Sequence, residues 1–180
     1  EAASRKAVLS DAALSRAMGN RRASADLIVT IGGASVGDHD LVAPVAEELG
    51  MQQSFYKVAM RPGKPLMAGR LDGTPMIGLP GNPVSALVCG IVFVTPVVRA
   101  MQGLPAAPAP QLETRLAAAL PPNGPREHYM RAVVDETGLR SFDQQDSSLL
   151  SILARANALL VRPPQDPARE VGDKVSYLPL

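Results

Sequence analysis

"MRPGKPLMAGRLDGTPMIGLPGNPVSAL", residues 60–87, places cations, stiffening prolines and permissive glycines around short apolar runs. Within it, "PLMAGR" and "TPMIGL" are strand-like segments joined by "LDG", which predicts a hairpin turning at Asp72–Gly73. Asn82 then offers an N-cap and Pro83 a first helical residue. Val84, Leu87, Val88, Ile91 and Val92 recur at helical spacing, and Pro96 is expected to kink or interrupt that helix. A hairpin that delivers a helix is one unit of a layered sheet.

Upstream, "DLIVTI" (Asp26–Ile31) is a continuous apolar run closed by Gly32–Gly33, which suits a buried parallel strand. "DLVAPVAEELG" (Asp40–Gly50) reads as a helix with a capping residue at its start and a C′ glycine at its end. "SFYKVAM" (Ser54–Met60) alternates like a strand. Strand, helix, strand, hairpin, helix describes an α/β sheet domain over residues 1–104. The alternating prolines of "PAAPAPQ" mark an extended linker at residues 105–110. Beyond it, in residues 111–180, "LETRLAAAL", "HYMRAVVD", "LRSF", "ANALLVRP" and "DKVSYLPL" are short segments separated by Pro, Gly and Asn, which predicts a small β-rich domain. "SSLLSILARA" is its one helical turn. A doubly wound sheet would need further strands before Asp26, so the chain reads as a fragment with an incomplete first domain.

Composition limits the function classes. The chain has 180 residues, 46% of them hydrophobic, but only 3% aromatic and no Trp. It can bury a core, built from aliphatic side chains. A net charge of +1 argues against nucleic acid as the partner. The longest apolar run, around Ile91–Val98, is too short to span a bilayer. The single cysteine, Cys89, excludes a disulfide framework and reads as a core residue. His39 and His128 read as surface residues. A cytoplasmic location follows.

Local charge is less balanced than net charge. Between Leu49 and Leu71 stand Lys57, Arg61, Lys64 and Arg70 with no acid. Strand alternation would put Lys57 and Arg61 on one face, and the Pro62–Gly63 turn would bring Lys64 back toward them. Such a set would leave repulsion uncompensated without an anion. In "TIGGASVGDHD", Gly32, Gly33, Ser35 and Gly37 lie where a parallel strand ends. That loop either lets backbone N–H groups approach a phosphate or makes a tight turn capped by Asp. Asp38 and Asp40 are equally open to a capping role or to holding Mg²⁺. In Pro80-Gly81-Asn82-Pro83 a rigid corner starts a helix whose N–H groups are expected to face outward, with Ser85 adding a hydroxyl.

"GGASVGDHD", "MRPGKP" and "GLPGNPVSAL", in this order, closely resemble the molybdopterin molybdenumtransferase family, which includes the gephyrin E domain. "QDSSLLSILARANALLVRPP" resembles that family's C-terminal β-barrel. The resemblance implies an incomplete three-layer α/β/α domain of molybdopterin-binding type, then a small β-barrel. It also implies the last step of molybdenum cofactor synthesis: molybdate enters adenylated molybdopterin, with Mg²⁺, and AMP leaves. By motif position Asp40 matches the active-site aspartate at metal and pyrophosphate. Lys57 and Arg61 match an active-site basic pair that Lys64 joins. Pro80 and Pro83 match prolines that shape the molybdate and substrate pocket. Small-molecule substrates and a full-length homodimer follow as expectations. The rival readings are a non-catalytic molybdopterin-binding scaffold and a relative that adenylates molybdopterin.

The chain departs from the family pattern in three places. Ile31 stands where many relatives carry a hydroxyl. Arg61 stands where Lys is common, and a planar fork is not a point charge. An upstream acidic pair is represented only by Ser10–Asp11.

Overall fold

The computed structural model describes residues 25–33 and 41–180. Ser35, Gly37, Asp38, His39 and Asp40 lie outside the described residues, as do Ser10–Asp11 and the helix-like stretch read near the start of the chain.

The first sheet has the order β1-β5-β4-β2. Strand β1 (Ile28–Ile31) pairs in parallel with β5 (Thr74–Leu79). Next come β4 (Met67–Leu71) and β2 (Gln52–Tyr56), both antiparallel. The β4–β5 hairpin turns where it was expected: Asp72 and Gly73 both have positive φ, 51° and 84°, as a two-residue hairpin turn with the native twist requires. Strand β1 is buried on one side only, because Ile28 is covered while Val29 and Ile31 are 40% and 71% exposed.

Side-chain alternation sorts the sheet into two faces. Met67, Leu71 and Met76 pack with Val42, Val45 and Ala46 of helix α1 (Val42–Glu48). Leu66, Ile77 and Leu79 pack with Val88 and Cys89 of α2 (Pro83–Cys89). One helix on each face makes three layers, in agreement with the expected α/β/α arrangement. Gly50 closes the C-terminal side of α1 with a φ of 84°. Its N-cap differs from expectation: Leu41 occupies that position and makes no side-chain capping bond.

Helix α2 continues through a wider π-turn (Gly90–Val94) into α3 (Thr95–Met101). Pro96 therefore neither breaks nor sharply ends the helix. Proline lacks an N–H and crowds the carbonyl four residues back, and one looser turn relieves both problems. The Thr95 hydroxyl also donates to the Gly90 carbonyl at 3.3 Å, five residues back. The continuous helix Pro83–Met101 has 19 residues and, by length and composition only, is long and apolar enough to cross a bilayer, which the short apolar run had not suggested. Val84, Val88 and Cys89 bury one stripe of it in the protein core.

The second sheet runs β3-β7-β9-β10-β6, with β8 added beside β7. Its strands are β3 (Met60–Arg61), β6 (Leu112–Arg115), β7 (Glu127–Asp135), β8 (Gly138–Ser141), β9 (Ala158–Arg162) and β10 (Lys174–Pro179). A bridge between Leu116 and Leu139 joins the end of β6 to β8, so the sheet curls into a ring. Leu116, Leu120, Ala132, Leu139, Ala158, Leu160 and Val175 fill it. One turn of helix, α4 (Leu150–Leu153), sits where "SSLLSILARA" predicted it.

Two features tie sheet and ring together. Every residue of β9 is buried: Ala158 and Leu160 face the ring, while Leu159 and Val161 face a core shared with Leu66, Ile77, Leu79, Val88 and Cys89. Strand β3, expected to continue β2, instead pairs in parallel with β7. The reason is local. Lys57 adopts a φ of 71°, which stops β2 and turns the chain toward the second sheet.

Candidate oxyanion cleft between sheet and ring

Residues 57–66 fold back on themselves. The Lys57 N–H donates to the Leu66 carbonyl at 2.8 Å, and the Val58 N–H donates to the Lys64 carbonyl at 3.0 Å. The Arg61–Pro62 peptide is cis. Gly63, at a φ of 113°, rests on Cys89: a Cβ there would lie 2.4 Å from the sulfur, so only glycine fits. The buried Cys89 thiol points at the Gly63 carbonyl, 3.8 Å away, and burial pushes its pKa up to about 12. It is a packing residue beneath the cation loop, and its burial disfavours the thiolate.

The Arg61–Lys64 turn opens onto a cleft of about 440 Å³. Ser85 lines it from α2. Arg126, Gln145, Asp146 and Ser147 line it from the ring. Among the described residues, Arg61, Lys64 and Arg126 have no ion-pair partner, so three cations meet one nearby carboxylate, Asp146. Hydrogen bonds from the Ser148 backbone N–H and hydroxyl hold the Asp146 carboxyl below the ordinary value, with smaller help from Arg131 and Arg61. Such a cleft suits a small oxyanion held by guanidinium, ammonium and hydroxyl donors.

The remaining predicted residues lie at varying distances from this cleft. Lys57 is exposed, with its ammonium 5.0 Å from the centre of the Tyr56 ring, and does not line it. The expectation that Lys57 and Arg61 share a strand face is corrected by the turn at Lys57. Pro80, Gly81, Asn82 and Pro83 form the corner before α2 and do not line the cleft either. The glycine loops do meet: a Cβ on Gly32 would lie 3.5 Å from the Gly81 Cα, so the end of β1 and the α2 corner touch backbone to backbone.

The outward-facing N–H groups expected at the α2 start are already occupied. Asn82 Oδ1 accepts from the Val84 N–H at 3.1 Å and from the Ser85 N–H at 3.2 Å. The Ala86 N–H donates to the Asn82 carbonyl, and Pro83 has no N–H. An anion here would meet side chains, with Ser85 the main offering of α2. The Asn cap signal in the sequence implied as much, since a capping side chain consumes those donors.

Arg126 and the Gln145–Ser147 segment were missed because they stand far along the chain, in a part read only as short β segments and one helical turn. The signal available was "NGPREHYM", a cation beside a Gly-Pro turn.

His128 is buried rather than on the surface, at 8% exposure, on β7 where that strand runs between β3 and β9. Burial first, then the positive charges of Arg61, Arg131, Arg162 and Arg126, push its pKa down to about 4. The unfolded chain would take up a proton near the ordinary value of 6.5, before the folded one does. Folding stability is therefore untouched by this group above pH 6.5 and falls as pH drops from 6.5 toward 4, by at most about 3 kcal/mol. An NMR titration of the imidazole should show a midpoint near 4, and a midpoint near 6.5 would contradict the buried placement.

Arrangement and sequence together identify the class and then the family. A three-layer α/β sheet sharing its core with a β ring, with a cationic cleft beside both, defines the class as an α/β protein with a second, small β unit. Residues 4–100 match the family model described as "Probable molybdopterin binding domain", and residues 113–180 match "MoeA C-terminal region (domain IV)". The chain belongs to that molybdopterin-binding family and carries its MoeA-like C-terminal portion. Molybdopterin molybdenumtransferase 2 of Mycobacterium tuberculosis is 42% identical over 144 residues, covering 76% of this chain and 35% of that protein. Gephyrin of Dictyostelium discoideum is 31% identical over 181 residues, covering 85% of this chain and 25% of that protein. Among solved structures, a molybdopterin biosynthesis MoeA protein from Pyrococcus horikosii superposes with a TM-score of 0.77. At 23% identity, over 94% of this chain and 41% of that one, it shows the shared fold. The chain thus spans little more than a third of the M. tuberculosis relative's length and a quarter of the gephyrin's.

Proposed function

We propose that the full-length protein inserts molybdate into adenylated molybdopterin and releases AMP, with this chain supplying the molybdate cleft. The observation that carries the reading is the convergence of Arg61 at the end of β3, Lys64 in the turn after it and Ser85 of α2 with Arg126 and Ser147 of the ring segments around one cavity. Molybdate is a tetrahedral dianion. Two guanidinium forks and an ammonium neutralise it, and hydroxyls of Ser85 and Ser147 can donate to its remaining oxygens. Holding it there converts an encounter between two anions into an intramolecular approach, and the same cations offset charge developing on the departing phosphate. The M. tuberculosis relative is named a molybdopterin molybdenumtransferase, which favours neither the scaffold nor the adenylating reading.

The cleft itself does not fit a divalent cation, since its charges are mainly positive. Among the described residues no group of three His, Cys, Asp or Glu side chains gathers for one. In our reading Asp38 and Asp40 would hold Mg²⁺, which would screen the pyrophosphate link. Gly32, Gly33, Ser35, Gly37 and the Pro80–Pro83 corner would bind the substrate, with Lys57 adding positive charge. We also read the chain as an α/β domain over residues 1–104, a linker over 105–110 and a barrel domain over 111–180. The exposed Leu87, Val98 and Met101 along α2 and α3 give a full-length homodimer an apolar face to bury. A lone buried thiol suits the reducing cytoplasm. The test is AMP release from adenylated molybdopterin by the full-length protein, with and without molybdate. Release that requires molybdate supports the reading; no release in either case overturns it.

A further inference from the structure

Strand β8 ends at Ser141, so its ladder with β7 covers only Ala132–Asp135. At Arg131, the next residue of β7, one ladder bond persists, with the Phe142 N–H donating to the Arg131 carbonyl at 3.1 Å. A side-chain amide bridges the other half of that pair. Gln145 Oε1 accepts from the Arg131 N–H at 3.0 Å, and Gln145 Nε2 donates to the Arg131 carbonyl at 2.9 Å and to the Phe142 carbonyl at 2.7 Å. The Arg131 guanidinium closes the lock. Its Nε and Nη2 donate to the same Gln145 Oε1 at 3.2 and 3.1 Å, and its Nη1 donates to the Asp146 carbonyl at 3.0 Å.

Arg131 is only 1% exposed, and among the described residues it has no ion-pair partner. A guanidinium does not lose its proton, so a full positive charge is buried here, hydrogen-bonded to carbonyl and amide oxygens with the Asp146 carboxylate giving it electrostatic support. A stability role would be served as well by an apolar side chain of the same volume. What the arginine adds is a fixed position for the Gln145–Ser147 backbone, which is one wall of the cleft, and a charge behind Arg61.

We propose that Arg131 and Gln145 are positioning residues of the oxyanion cleft. Together they hold Ser147 and the Asp146 backbone against the Arg61–Lys64 turn, and the buried Arg131 charge raises the cleft's affinity for a dianion. This inference rests on the reading of the cleft as a molybdate site.

Calorimetric titration of the full-length protein with sodium molybdate tests it, at low and high salt. Gln145→Asn shortens the amide by one methylene and breaks its reach to the two carbonyls, so Kd should rise about tenfold. Arg131→Lys keeps the charge and loses the fork, so Kd should rise by a similar factor, about tenfold, with an unchanged salt dependence. Arg131→Met should weaken binding further and flatten the salt dependence, a response that a purely structural role would not produce. Wild-type affinity in both Gln145→Asn and Arg131→Lys would overturn the proposal. If the Arg131 variants fail to fold, Gln145→Asn decides alone. A wild-type protein that binds no molybdate would instead overturn the cleft reading, and this inference with it, which is a distinguishable result.

Discussion

Arg126→Ala in the full-length protein is expected to raise the molybdate concentration for half-maximal turnover by one to two orders of magnitude. Arg126 faces the Arg61–Lys64 turn across the cleft, and among the described residues no carboxylate pairs with it. A hydrogen bond to a charged partner contributes about 1.5–3 kcal/mol, which is roughly a 10- to 100-fold change in affinity. Arg126→Lys should recover part of the loss, since charge returns without the bidentate fork. The affinity for adenylated molybdopterin should change less than that for molybdate. Equal loss for both, or no loss for either, would place Arg126 outside the molybdate site. The same substitution separates this cleft from one made by the first sheet alone, which would not register a change in the ring.

Asp166→Ala should open the ring. Asp166 lies between two guanidinium groups: Oδ2 accepts from the buried Arg162, and Oδ1 accepts from Arg169 Nε at 3.1 Å. Burial pushes the Asp166 carboxyl up, but hydrogen bonds from Arg169 and Arg162 outweigh it and hold it below the ordinary value. The stability it contributes is therefore present above the ordinary carboxyl pKa and lost as pH falls below it. Arg162 is 2% exposed, and among the described residues its Nη2 has only the carbonyls of Pro121 and Pro167 besides. Removing the carboxylate strands a buried charge, at a cost of about 3–5 kcal/mol. Hydrogen exchange at the amides of β9 and β10 reads this locally, and protection should fall by at least two orders of magnitude. A fall below tenfold would mean that water reaches Arg162 easily.

The parts of the fold legible in the sequence are those fixed by neighbours in the chain. Asp72–Gly73 turns the hairpin because that pair tolerates positive φ, and Asn82–Pro83 starts α2 because cap and first-turn chemistry lie within four residues. The segments of the ring were legible for the same reason, each being short and bounded by Pro, Gly or Asn. The path of β3 was not. It is two residues long and pairs with a strand more than sixty residues later, and nothing in "YKVAMR" marks Lys57 as left-handed. The site divides in the same way. Arg61, Lys64 and Ser85 stood close together around turn residues and could be read as one anion-facing group. Arg126 and Ser147 reach the cleft only because β7 docks on β3 and because Arg131 and Gln145 fix the loop beyond β8. Neither arrangement has a local signature, since both depend on non-local pairing. His128 shows the same limit: a lone histidine in "REHYMR" looks solvated until its strand is placed between β3 and β9.

The central claim is that the turn after β3, helix α2 and the ring build one oxyanion cleft together. Crystals of the full-length protein soaked in sodium tungstate, with anomalous scattering located at the tungsten edge, test it most directly. The account predicts a peak within hydrogen-bond reach of the Arg61 or Lys64 side chain on one side and of Arg126 or Ser147 on the other. A well-occupied peak elsewhere, with those four side chains unengaged, would contradict it.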